Sequence, residues 1–242
     1  MSIFGNLTNE GLEESTDRLG GFSPLNSDVY TGDIKAAYAG KSSGGAHSVT
    51  VLVALEGGRE YRETIYITNR NGENYFLNKN DKTKKVPLPG FTTIDDLCLV
   101  TTGAPLSEQE TEEKVLNIYN PESKKEEPTS VPVLTGLTGK TVTLGIQKNI
   151  ENKSEKQNGN YVPIADTREI NTIDKVFHAE TKMTVPEARA EQESADFFEK
   201  WKEKNVGNTV DRRSIKDGQG GTKGGPPASG GEKSPRKSLF GS

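Results

Sequence analysis

Val49, Val51, Val53 and Leu55 alternate with Ser48, Thr50, Leu52 and Ala54. Alternation of this kind marks a strand with one face buried. Gly57-Gly58 follows as a tight hairpin turn. A second strand is predicted from Arg59 to Thr68, with Tyr61, Ile65 and Ile67 on one side. Asn71-Gly72 is another hairpin signal, so Glu73 to Leu77 is predicted to return as the third strand of a meander. Upstream, Val29 to Tyr38 reads as a further strand.

Beyond the meander the pattern is less regular. Pro87-Leu88-Pro89-Gly90 breaks the chain, and Ile94 to Thr102 is an apolar segment of either type. Ser107-Glu108-Gln109-Glu110 fits a capping box, which predicts a helix from about Glu108 to Val115. Leu116 to Tyr119 finishes that helix or begins a strand. Glu122 to Ser130 reads as a charged loop. Val131 to Leu134 and Thr141 to Lys148 read as strands, the second with Val142, Leu144 and Ile146 on one face. A polar loop is predicted from Asn149 to Asn160, then one or two strands from Tyr161 to Ala179. Thr184-Val185-Pro186-Glu187 is another capping box, and Ala190, Ser194, Phe197 and Trp201 follow at helical spacing with Phe198 beside them. That stripe predicts one packing helix near 185–204.

These elements divide the chain into a flexible arm over 1–27, a folded domain over 28–205 and a low-complexity tail over 206–242. The fold class is mainly β (α+β), with one or two accessory helices. The tail is rich in Gly, Ser, Pro and Lys, a composition that buries no core and predicts disorder. From Asn205 onward there are seven basic residues and three acidic ones, in a chain of 242 residues with net charge −4. The mean hydropathy is −0.72. No stretch approaches the ~18 apolar residues of a membrane helix, and no signal-peptide core is present, so a cytoplasmic protein without a membrane partner is expected. The single Cys98 excludes an internal disulfide and reads as a small buried hydrophobe.

Catalytic chemistry is poorly represented. Gly136-Leu137-Thr138-Gly139-Lys140-Thr141 lacks the first glycine of a phosphate-binding loop, since Leu134 stands there, and a β-type run follows instead of a helix. His47 and His178 are far apart, and one cysteine supplies no usual zinc set. No nucleophile elbow is present. No enzyme, cofactor or metal is expected.

Binding single strands without sequence preference needs cations for phosphates and exposed rings for bases. The middle strand of the meander offers both: alternation sends Arg62, Thr64, Tyr66 and Thr68 outward. Tyr61 is the competing ring if the register slips by one. Arg70, Lys79, Lys82, Lys84 and Lys85 lie in or beside bordering loops, with Tyr75, Phe76 and Phe91 nearby. Lys148, Lys153 and Lys156 border a later loop, and Arg168 and Lys175 lie in the late strand region. The candidate DNA contacts are Arg62, Tyr66, Arg70, Tyr75, Lys79, Lys82, Lys84, Lys85, Phe91, Lys148 and Lys153.

The block Tyr66-Ile67-Thr68-Asn69-Arg70-Asn71-Gly72-Glu73-Asn74-Tyr75 runs into Val86-Pro87-Leu88-Pro89-Gly90-Phe91 and Leu97-Cys98-Leu99-Val100-Thr101-Thr102-Gly103. With Glu113-Lys114-Val115-Leu116-Asn117-Ile118-Tyr119 and Asp174-Lys175-Val176-Phe177-His178, it resembles the single-stranded DNA-binding proteins of lytic tailed phages. The similarity is strongest to those of large podoviruses that carry a virion RNA polymerase, and it covers roughly Val49 to Lys204. The resemblance implies an oligonucleotide-binding (OB-fold) β-barrel. It also implies a role in coating exposed strands during phage DNA replication, recombination and repair, in the cytoplasm of an infected bacterium. Many proteins of this class end in an acidic tail with a terminal aromatic; here the tail is basic and keeps Phe240. Lys233, Arg236, Lys237, Leu239 and Phe240 are the candidate contacts for phage replication proteins or a host or phage RNA polymerase. The alternative function is an adaptor in transcription or replication, with the tail as its active element.

Overall fold

In the computed structural model, residues 23–120, 123–157 and 160–215 are described. Strand β1 (Asp28–Lys41) precedes β2 (His47–Leu55) and β3 (Glu60–Tyr66) in an antiparallel meander. Val49, Val51, Val53 and Leu55 all point into the core, as alternation requires. Gly57 and Gly58 both adopt positive φ, 93° and 82°, in the turn between β2 and β3, a conformation open to glycine without strain.

The third strand of the expected meander is not there. The turn at Asn71-Gly72 forms, but β4 (Tyr75–Leu77) leaves β3 and pairs with β5 (Lys85–Pro87) in a separate two-stranded sheet. The Asn69 side chain dictates this: its Oδ1 accepts the backbone N–H groups of Asn71 and Glu73, closing the loop on itself. The meander gains its other strand from β1, which precedes it.

Helix α1 (Pro89–Thr102) resolves the apolar segment. Proline fits the first turn, where no intrahelical N–H is needed. Ile94, Leu97 and Cys98 form its buried stripe, and Gly103 ends it in the left-handed region, donating to the Leu99 carbonyl at 3.0 Å. Gly90 stands where a Cβ would lie 2.2 Å from the Tyr66 carbonyl oxygen, so only glycine lets α1 approach the end of β3 this closely.

The helix expected over 108–115 is instead strand β6 (Thr111–Asn120), paired along its length with β7 (Lys125–Leu134). The Ser107 capping box is not used; Ser107 lies in a single 3-10 turn, Leu106–Glu108. Gln109 instead donates to Thr102 Oγ1 and the Ala104 carbonyl, which anchors the chain to the end of α1. The expected charged loop over 122–130 is thereby largely strand.

Strand β8 (Thr141–Gln157) runs through the segment expected as a polar loop, and β9 (Asn160–His178) is one continuous strand. Buried Asn149 and Asn152 explain the misreading: Asn149 Nδ2 donates to Thr172 Oγ1, so a polar residue sits inside. The capping box at Thr184 forms as predicted, but the helix is short. α2 (Val185–Arg189) and α3 (Asp196–Asn205) are separate, because the Glu187 carboxylate also accepts the Phe197 N–H at 2.7 Å. Phe198 and Trp201 are buried on Phe177, and Phe197 is left 42% exposed.

The large sheet has the order β10-β8-β1-β2-β3, with β7 joining β1 and β6, and β9 joining β8. β10 (Thr209–Asp211) falls in the stretch expected to belong to the tail. Among the described residues the pairings form an open path, not a closed barrel. The chain divides into two units, residues 1–149 with 169–210 and residues 150–168 with 211–242. In the first, the main core gathers apolar residues from β1, β2, β3, α1, β8 and β9. A bulge between Ile34 and Ala36 turns β1 so that Ile34 faces this core while Ala36 and Tyr38 face a small second cluster with Val133. In the second unit, Asn152 Oδ1 accepts from the N–H groups of Ser214 and Ile215, and Arg168 pairs with Glu151 at 2.7 Å. No described helix is long and apolar enough to cross a membrane.

Candidate nucleic-acid interface

The register of the β1–β2–β3 sheet sets the residues of its outer face in rows. Ala36, Leu52 and Arg62 form one, Tyr38, Thr50 and Thr64 the next, and Gly40, Ser48 and Tyr66 the third. Arg62 and Tyr66 therefore share a face, as alternation predicted, and Tyr61 is in the core. Arg62 Nη2 donates to the Tyr38 hydroxyl at 2.7 Å, which fixes the guanidinium over the sheet. Thr50 and Thr64 share a hydroxyl hydrogen bond of 2.8 Å. The third row sets Tyr66, 54% exposed, at the β3 edge beside Ser48, which is buried.

The inward neighbours are equally defined. Tyr61 donates to Glu63 Oε2 at 2.7 Å, and the same oxygen accepts the Ile173 N–H of β9 at 2.7 Å. Burial, then the Glu63 charge, pushes the Tyr61 phenol far above its ordinary range, so it stays protonated and structural.

Past Tyr66 the chain stays attached to the β1–β2 turn. Ile67 N–H donates to the His47 carbonyl, and His47 N–H donates to Thr68 Oγ1 at 2.8 Å. Exposed Arg70 follows, and its side chain runs along Gly44, with Nε 3.7 Å from where a Cβ there would stand. The Asn69 amide, bonded to the Glu73 carboxylate, holds that carboxyl below the usual range, with help from the Tyr75 hydroxyl.

The β4–β5 hairpin carries the other early candidates. Lys85 Nζ sits 4.2 Å from the centre of the Tyr75 ring, a cation–π contact that uses one face of that ring. Lys79, Lys82 and Lys84 are exposed around the hairpin loop. Lys84 reaches Asp81 at 3.5 Å; Lys79 and Lys82 have no ion-pair partner among the described residues. The loop is shaped by Asp81, whose carboxylate accepts from Thr83 and is held low by that bond.

Three candidates stand apart. Lys148 pairs with Glu169 at 2.9 Å and is mostly covered, which ties β8 to β9. Lys153 belongs to the second unit and faces Asp166 at 3.8 Å. Phe91 is half-buried in the first turn of α1. The tail candidates Lys233, Arg236, Lys237, Leu239 and Phe240 lie outside the described residues.

Sequence reading missed Tyr38, the anchor of Arg62, because the β1 bulge changes which face it occupies. It also passed over Tyr161, at 73% the most exposed ring among the described residues, in the second unit. Its strand carries no clean alternation to mark it. His178 is the last residue of β9, and its Nδ1 accepts from the Thr181 N–H. No described group of His, Cys, Asp or Glu is arranged to hold a metal. A hollow of about 650 Å³ near Leu99, Met183 and Val185 is mostly apolar, with Arg189 and His178 in its lining. The chain matches no family model and no curated protein.

Proposed function

We propose that this protein binds single-stranded DNA without sequence preference, on the exposed outer face of β3 and the adjoining β4–β5 hairpin. The observation that carries the reading is Tyr66: an exposed ring beside Gly40 and Ser48, on the same strand face as a guanidinium held by Tyr38. Bases stack on the ring whatever their identity, because every base has a π-face. Arg62, Arg70, Lys79, Lys82, Lys84 and Lys85 neutralise phosphates along the path. Tyr75 has one face occupied by Lys85 and offers bases the other. The role is that of the resemblance: coating and protecting strands during phage DNA replication, recombination and repair, without catalysis.

The OB-fold belongs to this proposal. α1 comes after β3 with the β4–β5 hairpin between them, and the Glu63 carboxylate joins β3 to the Ile173 N–H of β9. In this reading that side-chain contact stands in for the backbone ladder that would close a barrel.

The test is fluorescence titration with a dT oligomer, against duplex of equal length, at low and moderate salt. Affinity for dT falls with salt, and Tyr66→Ala lowers it by roughly 5- to 150-fold, the equivalent of about 1–3 kcal/mol per stacked base, with melting unchanged. A protein indifferent to dT at low salt refutes the reading; binding unaffected by Tyr66→Ala moves the site off β3.

A further inference from the structure

The β6–β7 hairpin exposes one strand edge and one apolar strip that nothing described covers. β6 pairs only with β7, leaving its outer edge of ten residues without a partner among the described residues. Natural sheets blunt such edges with charges, prolines and bulges, and the charges of β6, Glu112, Glu113 and Lys114, all lie in its first half. β7 carries Pro128 and Pro132, but β6 carries none. The hairpin register sets Glu113 beside Pro132, Val115 beside Ser130, Asn117 beside Pro128 and Tyr119 beside Glu126. Val115 is 67% exposed and Tyr119 49%, so this face is an apolar strip with a glutamate near each end. Leu116 and Ile118 alternate with these positions and pack on the Ala36, Tyr38 and Val133 cluster, which fixes which face is outward.

The sequence contains one segment of matching chemistry. Residues 233–240 read Lys-Ser-Pro-Arg-Lys-Ser-Leu-Phe, three cations with no acid, followed by two large apolar side chains. We propose that the β6 edge takes residues 233–240 of a second copy of this chain. The added segment pairs its backbone with β6 beyond Pro235. Alternation sets Arg236 and Phe240 on one face, so Phe240 lies on the Val115–Tyr119 strip and Arg236 meets a glutamate. Main-chain pairing supplies affinity and alternate side chains supply selectivity. The contact is head-to-tail, so each copy offers one tail and one edge and the contact can extend from copy to copy. Such a chain of contacts gives contiguous coverage of a strand, although the association itself does not require DNA.

The test is sedimentation of the full-length protein in low salt without DNA, over a range of concentrations. The unaltered chain self-associates. A tail variant, Lys233→Glu with Arg236→Glu and Lys237→Glu, weakens association at least tenfold. A hairpin variant, Glu113→Lys with Val115→Lys and Glu126→Lys, does the same. All three hairpin positions lie on the outward face, and unchanged melting confirms folding. Mixing the two variants restores a heterologous complex, because reversed tail meets reversed hairpin and native tail meets native hairpin. A chain that stays monomeric overturns the proposal. So does association that survives the tail variant, which would mean edge-to-edge pairing of hairpins, and so does cross-linking of tail to hairpin only within single chains. Because no DNA is present, these outcomes are separate from those of the dT titration.

Discussion

The β2–β3 and β6–β7 hairpins share an antiparallel geometry and have opposite relations to the interior. β2 sends four apolar side chains into the main core, and β3 adds Tyr61 and Ile65. β6 has no buried residue, and the hairpin's own cluster comprises three buried residues, only Val133 of them from β7. The first hairpin is positioned by the core beneath it; on its outer face Ser48 and Thr50 of β2 are covered, and the β3 residues Arg62, Thr64 and Tyr66 stay exposed. The second is held mainly by its ladder. Rigidity under a surface and chemistry on it are therefore separable in β2–β3.

The largest expected effect tests that separation in the core. Ile65→Ala removes a buried side chain and is expected to cost about 2–5 kcal/mol, read as a lower midpoint in urea. Ile118→Ala in the β6–β7 hairpin, half-buried, is expected to cost about 1 kcal/mol. Equal costs would erase the distinction between the hairpins.

A smaller effect is expected at the junction of α1 with β3. Gly90→Ala drives a methyl against the Tyr66 carbonyl and Ile65, so α1 must withdraw. Overpacking of this kind costs about 1–3 kcal/mol. Because the collision is with the backbone of Tyr66, dT affinity is expected to fall as well, whereas Ile118→Ala leaves dT affinity unchanged. Loss of stability without loss of affinity would show that the end of β3 is not coupled to its surface.

The smallest effect is electrostatic. The Asn69 amide holds the Glu73 carboxyl low, so its ionised form stabilises the turn above the ordinary glutamate range. That contribution disappears as pH falls through the lowered value. An NMR titration of Glu73 is expected to show a depressed midpoint, returned toward normal by Asn69→Ala. An undisturbed midpoint would mean that the turn after β3 is not held by this carboxylate.

The same contrast explains what could be read from sequence. β2 and β3 were legible because one face is buried, so composition alternates with geometry. β6 was not: both its faces are largely solvated, and Glu-Gln-Glu spacing after Ser107 imitates a helix start. The outward positions of Arg62 and Tyr66 follow from alternation, and the bulge that brings Tyr38 beneath Arg62 does not, because an extra residue leaves no mark in composition. The pairing of Lys148 with Glu169 was hidden for another reason: it joins strands 21 positions apart. The break between α2 and α3 depends on one carboxylate serving two helices, which a helical periodicity cannot signal.

The lone thiol of the chain lies in the stripe by which α1 meets the sheet, fully covered, and burial pushes it up to about 12. At neutral pH it is neither ionised nor reachable, so an alkylating reagent can modify it only in molecules whose helix has momentarily lifted away. The labelling rate is then a native clock for that opening, and a bound strand that slows the clock would be reporting on the helix without touching it.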